Sequence, residues 1–335
     1  MTSIGDIARE LGISRSTVSK ALRGSSDINP DTVAAVRQAA RELGYDMSRL
    51  HDRTGGTGTV GAVFTELRSE YYSGIFDSFR QRIEADGRRV ITMLSDFDSE
   101  ERLLGCIDYL IRSRVIGILF LTELDIDVHR FRELIAPSGI PAVLISRMGR
   151  IDFCDVISVN HSLGVRMGVE HLYELGHRKF AFIGENFTKR REGAFRETLE
   201  NLGIVPDEKL IKVSGGRYCA GGYSAAKELF SLPPEERPTA LFAAYDHLAY
   251  GAMKAASEAG ISIPDDLSVI GVDDNQLSAY ISPGLSSVRM PVEDVGSRAY
   301  GILTARINGD RSPFETVYLT PELKLRESVA PPKNR

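Results

Sequence analysis

The sequence has few cysteines and no long apolar run, and both absences narrow what the protein can be. Three cysteines, Cys106, Cys154 and Cys219, lie far apart among the 335 residues and in no metal-ligand spacing. We expect them to be buried thiols in a reducing compartment, because they suit neither a disulfide framework nor a zinc site. No stretch approaches the ~18–20 apolar residues that cross a membrane. The N-terminus lacks the features of a signal peptide, so we expect a cytoplasmic protein.

The common constellations of catalytic residues are also missing. No serine lies in the G-x-S-x-G pattern of a nucleophile elbow, and the six histidines show no metal spacing. The run Gly56–Gly61 satisfies G-x-G-x-x-G, but it precedes an apolar segment where the phosphate-binding version would follow a strand and open a helix. A flexible linker is the favoured interpretation of this run. We therefore expect no enzyme, no metal and no cofactor.

The first 45 residues do contain a distinctive pattern, that of three short helices. Ser3 can cap the first helix, Gly12 can supply the left-handed turn that ends it, and Ser14 can cap the second. Asn29-Pro30-Asp31 combines a capping side chain, a proline suited to the first helical position and an acid in the first turn, so it predicts the start of a third helix. Two crossed helices followed by a third indicate a helix-turn-helix that binds DNA.

In such a unit the second helix enters the major groove and the first braces against the backbone. The candidate DNA-binding residues lie on or beside the second and third helices: Ser14, Arg15, Ser16, Thr17, Ser19, Lys20 and Asn29. Arg15 suits guanine O6 and N7, whereas Thr17, Ser19 and Lys20 also suit phosphate oxygens. Residues 1–45 contain six Lys and Arg against five Asp and Glu, a net charge of +1 in a chain of −5 overall. Such a headpiece should bind weakly alone, which favours a dimer on two half-sites.

After residue 58 the pattern changes to short apolar runs that alternate with amphipathic helices. Two such series, one from Val60 and one from near Val156, predict parallel sheets with helices on both faces. We therefore predict an α/β fold with a three-helix headpiece and a two-lobed core of doubly wound parallel sheets. Ligands bind beyond the carboxyl ends of such strands. The loops expected to line the cleft follow Phe64, Ser146, Ile183, Ala243 and Val272.

Several runs in this order resemble the LacI/GalR family of bacterial transcription regulators, from Ile4 to about Pro331. They include Asp6-Ile7-Ala8 and Thr17-Val18-Ser19 in the headpiece, and Leu175-Gly176-His177-Arg178 and Val272-Asp273-Asp274 in the body. The resemblance implies a homodimer that binds a pseudo-palindromic operator, with a periplasmic-binding-protein-like core for a small effector. We expect the headpiece at 1–45, a hinge at 46–58, the N-lobe at 59–158 and 289–316, and the C-lobe at 159–288 and 317–335.

The resemblance also implies effector-binding residues: Tyr71, Tyr72, Asn160, Arg190, Arg191, Arg217, Tyr245, Asp246 and Asp273. Tyr71 and Tyr72 fit core packing of their helix as well as they fit contact with a ligand ring. The family arginine that precedes a Gly-aromatic pair is either Arg190 or Arg191, since Gly193-Ala194-Phe195 leaves the register open by one. Asp273 matches the aspartate that accepts hydrogen bonds from ligand hydroxyls, whereas Asp246 better suits holding a local turn.

Two departures from the family pattern affect the expected mechanism. No Pro-Asn follows Tyr45, and Thr54 stands where the family has a leucine that wedges into the minor groove, so we expect a weakened or absent hinge helix. The pocket should be more aromatic than a simple monosaccharide site. A glycoside, a sugar with an aglycone and an anionic ligand for the arginines all stay open.

The expected function is that of a sequence-specific DNA-binding regulator, a repressor, whose operator binding is modulated by a sugar or a related metabolite. One alternative is a small-molecule binding protein of the transport type with no DNA role, which the headpiece opposes. The other is a Rossmann-like enzyme, which the misplaced glycines and the missing pair of base and nucleophile oppose.

Overall fold

The computed structural model describes residues 3–22, 28–45, 58–97, 99–122, 127–146 and 151–333. Residues 46–57 of the expected hinge, Thr54 included, lie outside these ranges. The prediction about a hinge helix concerns these residues and therefore stays a prediction. Within the described residues, no helix is both long enough and apolar enough to cross a membrane. Cys106 and Cys154 are buried as expected, but Cys219 is exposed, because it lies on the solvent side of the first turn of its helix.

Three short helices form the headpiece, and each has its own start signal. They are α1 (Ile4–Glu10), α2 (Arg15–Leu22) and α3 (Pro30–Glu42). The Ser3 hydroxyl accepts a hydrogen bond from the Asp6 N–H at 3.3 Å, and the Asp6 carboxylate accepts one from the Ser3 N–H at 2.8 Å. This capping box contributes about 1 kcal/mol to the helix. Gly12 has a φ of 62° and turns the chain into α2, as predicted.

The first lobe is a parallel six-stranded sheet. Its strands are β1 (Thr59–Phe64), β2 (Arg89–Leu94), β3 (Gly117–Leu121), β4 (Ala142–Ile145), β5 (Asp155–Val159) and β11 (Thr316–Leu319), in the order β11-β5-β4-β3-β1-β2. Its helices are α4 (Glu70–Ala85), α5 (Glu100–Arg112), α6 (Val128–Ile135) and α11 (Val292–Ile307). Strands β1, β3, β4 and β5 are buried at every position, because helices cover both faces of the sheet.

The second lobe repeats this plan. Its strands are β6 (Phe180–Gly184), β7 (Ile211–Val213), β8 (Ala240–Ala243), β9 (Ser268–Asp273), β10 (Ser286–Arg289) and β12 (Glu322–Lys324), in the order β12-β10-β9-β8-β6-β7. Its helices are α7 (His161–Glu174), α8 (Lys189–Asn201), α9 (Tyr218–Phe230) and α10 (Asp246–Glu258). Only β12 is antiparallel to its neighbour among the paired strands of the described chain. The two sheets therefore present their carboxyl ends to a cleft between the lobes.

The chain passes between the lobes after β5, after β10 and after β11. The last crossing differs from the expected boundary at residue 316, because Val317 and Leu319 pair with Ile157 and Val159 and extend the first sheet. Residues 317–319 thus belong to the N-lobe and not to the C-lobe.

A buried ion pair fixes the approach to that last strand of the first lobe. The Arg306 guanidinium donates to both oxygens of Asp155 at 2.8 Å, and it also donates to the carbonyl of Pro313 at 3.1 Å. Asp155 is fully buried and accepts the backbone N–H of Glu315 at 2.9 Å. The pair therefore attaches the segment before β11 to the edge of β5.

Candidate functional site

The exposed face of α2 is the candidate DNA-binding surface. Arg15, Ser16 and Lys20 are exposed, and Thr17 and Ser19 are half-buried. The opposite face of this helix is buried against α1 and α3 and consists of Val18, Ala21 and Leu22. Apolar packing therefore holds the helix while its polar residues face outward.

Two of the predicted DNA-binding residues are helix caps in this structure. The Ser14 hydroxyl accepts the Thr17 N–H at 3.0 Å, and the Asn29 side-chain oxygen accepts the Asp31 N–H at 2.8 Å. Both residues are exposed at the start of a helix, where a phosphate can also be bound.

Arg15 lies back against the first helix. A Cβ placed on Gly5 would be 3.0 Å from the Arg15 guanidinium, so the absence of a side chain at Gly5 makes room for it. Arg15 therefore points toward α1, so contact with a base edge would require its side chain to swing outward.

A cavity lies between the lobes, at the carboxyl ends of both sheets. Clefts between two lobes are a usual place for sites that bind small molecules. Both lobes contribute to its lining, which consists of Glu66, Ser69, Tyr71, Tyr72, His161, Phe187, Thr188, Arg191, Arg217, Tyr218, Tyr245 and Asp273.

One end of the cavity is polar and is formed by Arg191, His161 and Asp273. The Arg191 guanidinium donates to the carbonyl of Ala244, lies 3.1 Å from His161 Nδ1 and faces the Asp273 carboxylate at 3.9 Å. The Arg191 side chain is thus held on two sides and presents a planar set of donors next to a carboxylate acceptor. This combination suits vicinal hydroxyl groups, each of which donates one hydrogen bond and accepts another.

Asp273 is placed by a strained turn at the end of β9. It has a φ of 104°, and Asp274 follows at 55°, values that are rare for residues other than glycine. The buried Asp246 carboxylate holds this turn, since it accepts the Asn275 N–H at 2.8 Å and the hydroxyls of Ser278 and Ser287 at 2.7 and 2.6 Å. Complete burial, together with the nearby Asp273 charge, raises the pKa of Asp246 to about 8.

The other end of the cavity joins the two lobes through Glu66, Arg217 and Tyr218. Arg217 donates to both Glu66 oxygens at 3.3 Å, and the Tyr218 hydroxyl donates to Glu66 Oε1 at 2.6 Å. Burial and this hydrogen bond raise the pKa of Tyr218, so its hydroxyl stays protonated and donates. Glu66 extends from the loop after β1, whereas Arg217 is the N-cap residue of α9 and Tyr218 is its first residue.

A second carboxylate, Glu185, lies behind Arg217. Its Oε2 is 3.5 Å from Arg217 Nε, and it accepts a hydrogen bond from the Tyr245 hydroxyl. Burial raises the pKa of Glu185 to about 7, although the Arg217 charge partly opposes the rise. The Arg217 guanidinium also lies over the rings of Phe97 and Phe187, 4.2 and 5.0 Å from their centroids. Arg217 is therefore held by charge and by aromatic contact from both lobes.

Comparison with known proteins follows the same division of the chain. Residues 3–48 match the family profile described as bacterial regulatory proteins of the lacI family, and residues 169–329 match a periplasmic binding protein-like domain. The HTH-type transcriptional repressor PurR of Erwinia tasmaniensis is 30% identical over 98% of this chain and 97% of its own length. This chain belongs to the LacI family. The transcriptional regulator DegA of Bacillus subtilis is 29% identical over 98% of both chains.

Solved structures of the LacI family have the same fold. The regulator CelR in complex with cellobiose is 26% identical, with a TM-score of 0.70 over 98% of this chain and all of that one. The lac repressor dimer bound to operator is 24% identical, with a TM-score of 0.73 over 98% of this chain and 99% of that one. The LacI-family chain described here is accordingly a DNA-binding transcriptional regulator whose activity a small-molecule effector modulates.

The structure brings together most of the effector residues expected from the LacI resemblance. Six of them line the cavity: Tyr71, Tyr72, Arg191, Arg217, Tyr245 and Asp273. Arg190 is exposed outside the lining, whereas Arg191 lies in it. Asn160 is exposed and caps α7 by accepting the Leu163 N–H at 3.0 Å. Asp246 lies outside the lining, where its carboxylate holds the turn that carries Asp273.

Sequence reasoning missed other residues of the site, chiefly Glu66, His161, Phe187 and Glu185. Glu185 directly follows β6, and Glu66 lies two residues after β1. These positions belong to loops that the strand pattern already assigned to the cleft. A search of those loops for charged and aromatic residues would have found them.

Proposed function

We propose that this regulator is a cytoplasmic repressor without catalytic activity, and that its effector is a neutral, polyhydroxylated ring compound such as a sugar or a nucleoside. It binds a pseudo-palindromic operator as a homodimer. The DNA contacts come from the exposed residues of α2 and from the caps Ser14 and Asn29. The effector contacts come from Arg191, Asp273 and the tyrosines of the cavity.

The observation that carries the choice of effector is the balance of charge in the cavity. Each arginine of the lining already faces a carboxylate, Arg191 facing Asp273 and Arg217 facing Glu66. An anionic ligand would therefore have to displace or approach a buried carboxylate, which is costly in a site of low dielectric. Hydroxyl groups can hydrogen-bond to both the guanidinium and the carboxylate of such a pair, and they add no charge.

The aromatic side chains support the same class of ligand. Tyr71, Tyr72, Phe187 and Tyr245 line the cavity between its two ends, and Tyr71 and Tyr72 pack edge-to-face with centroids 5.2 Å apart. Such rings offer apolar faces to the C–H surface of a sugar or to a planar base, while the polar ends fix its orientation.

A thermal-shift experiment with matched pairs tests this proposal. The pairs are ribose and ribose 5-phosphate, glucose and glucose 6-phosphate, and adenosine and its 5′-monophosphate. At least one neutral member should raise the melting temperature, because a ligand at 100 times its Kd adds about 2.7 kcal/mol to the native state. Stabilisation by phosphorylated members alone would contradict the proposed class.

The surface of the core supports the homodimer. Edge strand β2 exposes Ile91 and Leu94, and the segment beside the cleft exposes Leu277 and Tyr280, the last at 79%. An edge strand with unpaired backbone groups and exposed apolar side chains favours association with a partner. The double variant Ile91→Asp/Leu94→Asp should sediment as a monomer and lose binding to paired half-sites, while a dimer of unchanged stability would exclude this strand from the interface.

A further inference from the structure

The cross-lobe wall, formed by Glu66, Arg217 and Tyr218, closes one end of the effector cavity. All three residues line the cavity, and Glu66 comes from the first lobe while the other two come from the second. Glu66 is only 8% exposed and accepts hydrogen bonds from both partners, at 2.6 Å from Tyr218 and at 3.3 Å from Arg217. This end of the cavity is therefore closed by bonds between the lobes.

Further contacts hold the cross-lobe wall in place from behind. The rings of Phe97 and Phe187, one from each lobe, stack with centroids 4.8 Å apart, and the Arg217 guanidinium lies over both. Glu185 adds a second carboxylate 3.5 Å from Arg217 Nε. Moving Arg217 out of the wall would separate it from two carboxylates and two aromatic rings at once.

The polar end of the cavity is built more loosely. Arg191 and Asp273 are 3.9 Å apart, too far for a direct hydrogen bond, so a ligand hydroxyl can bond to both. A ligand ring at this end can therefore hydrogen-bond to Arg191 and Asp273 while the bonds of Glu66 stay intact. A second ring that extended toward the other end would have to break the bonds of Glu66 and leave its buried carboxylate unsatisfied.

Given the proposed class of effector, we propose that the cross-lobe wall is a size filter that narrows this class to single-ring sugars and disfavours disaccharides and nucleosides. Glu66 is the specificity-determining residue of this filter, because it contacts both wall residues of the other lobe. Selectivity then comes from the penalty that the wall imposes on longer ligands, while the contacts at the polar end bind the ring common to short and long ligands.

Titration calorimetry with paired probes tests the size filter. The pairs are glucose and cellobiose, galactose and lactose, and ribose and adenosine, each a ring and the same ring extended by a second one. In the wild type the single ring should bind at least about tenfold more tightly than its extended partner, and Glu66→Ala should reduce this ratio by about tenfold, or 1.4 kcal/mol. The double variant Glu66→Ala/Arg217→Ala should reduce the ratio by a similar factor. It also removes the arginine that would otherwise lose its Glu66 partner.

Glu70→Ala is the matched control. The Glu70 carboxylate also crosses the cleft, where it accepts the Gln276 N–H at 2.8 Å, but Glu70 does not line the cavity. Its removal should leave the ratio of the two affinities unchanged. If Glu70→Ala shifts the ratio as much as Glu66→Ala does, the effect belongs to lobe closure and the size filter is wrong.

Other outcomes separate the size filter from the proposed class of effector. A wild type that binds none of the six probes refutes the neutral ring effector and the filter with it. A wild type that binds single rings, combined with an unchanged ratio in both Glu66 variants, refutes the filter alone. Tighter wild-type binding of the extended partners also refutes it. Operator binding by each variant confirms that the protein is folded.

Discussion

Replacing Asp273 by asparagine should remove the effector response and leave operator binding intact. The Asp273 carboxylate lies at the end of β9 and faces Arg191 across 3.9 Å. Asparagine has nearly the same volume, and it tolerates a positive φ better than most residues, so the φ of 104° can be kept. The substitution therefore changes the charge and the hydrogen bonding of the site much more than its shape.

The size of the effect follows from the hydrogen bonds that the carboxylate makes. Hydrogen bonds to charged groups contribute about 1.5–3 kcal/mol each, and neutral ones about half of that. With two ligand hydroxyls bound to Asp273, the substitution should cost about 2–3 kcal/mol, which is roughly 30- to 150-fold in the effector Kd. Arg191 would also lose its partner carboxylate, which adds to the cost.

Calorimetry with the sugar or nucleoside found by the thermal-shift experiment measures this loss, and fluorescence anisotropy with the selected operator measures DNA binding. Asp274→Asn is the matched control, because Asp274 pairs with Arg326 at 2.6 Å and does not line the cavity. Effector affinity within threefold of the wild type in Asp273→Asn would refute the assigned role. Joint loss of effector and operator binding would indicate a folding defect instead.

Three further substitutions have defined outcomes. Arg15→Ala should relax base preference at one half-site position and cost about 1–3 kcal/mol, and unchanged selectivity after random-sequence selection would show that Arg15 reads no base. Glu185→Gln should flatten the fall in melting temperature between pH 4.5 and 7. Because the pKa of Glu185 is raised to about 7, the folded protein keeps a proton that the unfolded chain releases, and wild-type stability falls as the pH rises through this window. Equal slopes of melting temperature against pH in the variant and the wild type would contradict this explanation. Asp155→Ala should cost about 3–5 kcal/mol in denaturant unfolding, since Arg306 is left charged and buried, and a loss below about 1 kcal/mol would show that the pair is dispensable.

Local signals explain why the headpiece could be predicted from the sequence. Ser3, Gly12, Ser14 and Asn29 act through bonds or dihedrals within four residues, so the sequence around each suffices to locate the helix ends. The alternation of strands and helices likewise indicates the sheets, because each strand pairs with strands of its own lobe.

The site was harder to predict because its residues meet only in the folded chain. Arg190 and Arg191 lie on the same helix turn, and only the packing of α8 on its sheet decides which of them enters the cavity. Glu66 and Glu185 lie in loops, where acids are common, and no sequence pattern shows that folding buries them against one arginine. Asp246 follows a strand that ends at the cleft, but its bonds to Asn275, Ser278 and Ser287 hold its carboxylate outside the cavity lining.

The most direct test of the account is an operator titration with and without effector. The operator is obtained by random-sequence selection at low salt, and the effector is the neutral ring compound that raises the melting temperature. The wild type should bind a pseudo-palindromic sequence, and the effector should change this affinity by about 5- to 150-fold, which corresponds to about 1–3 kcal/mol of coupling between the sites. Asp273→Asn should abolish the change. Selection of no sequence above background, or an affinity that no neutral ring compound alters, would contradict the account.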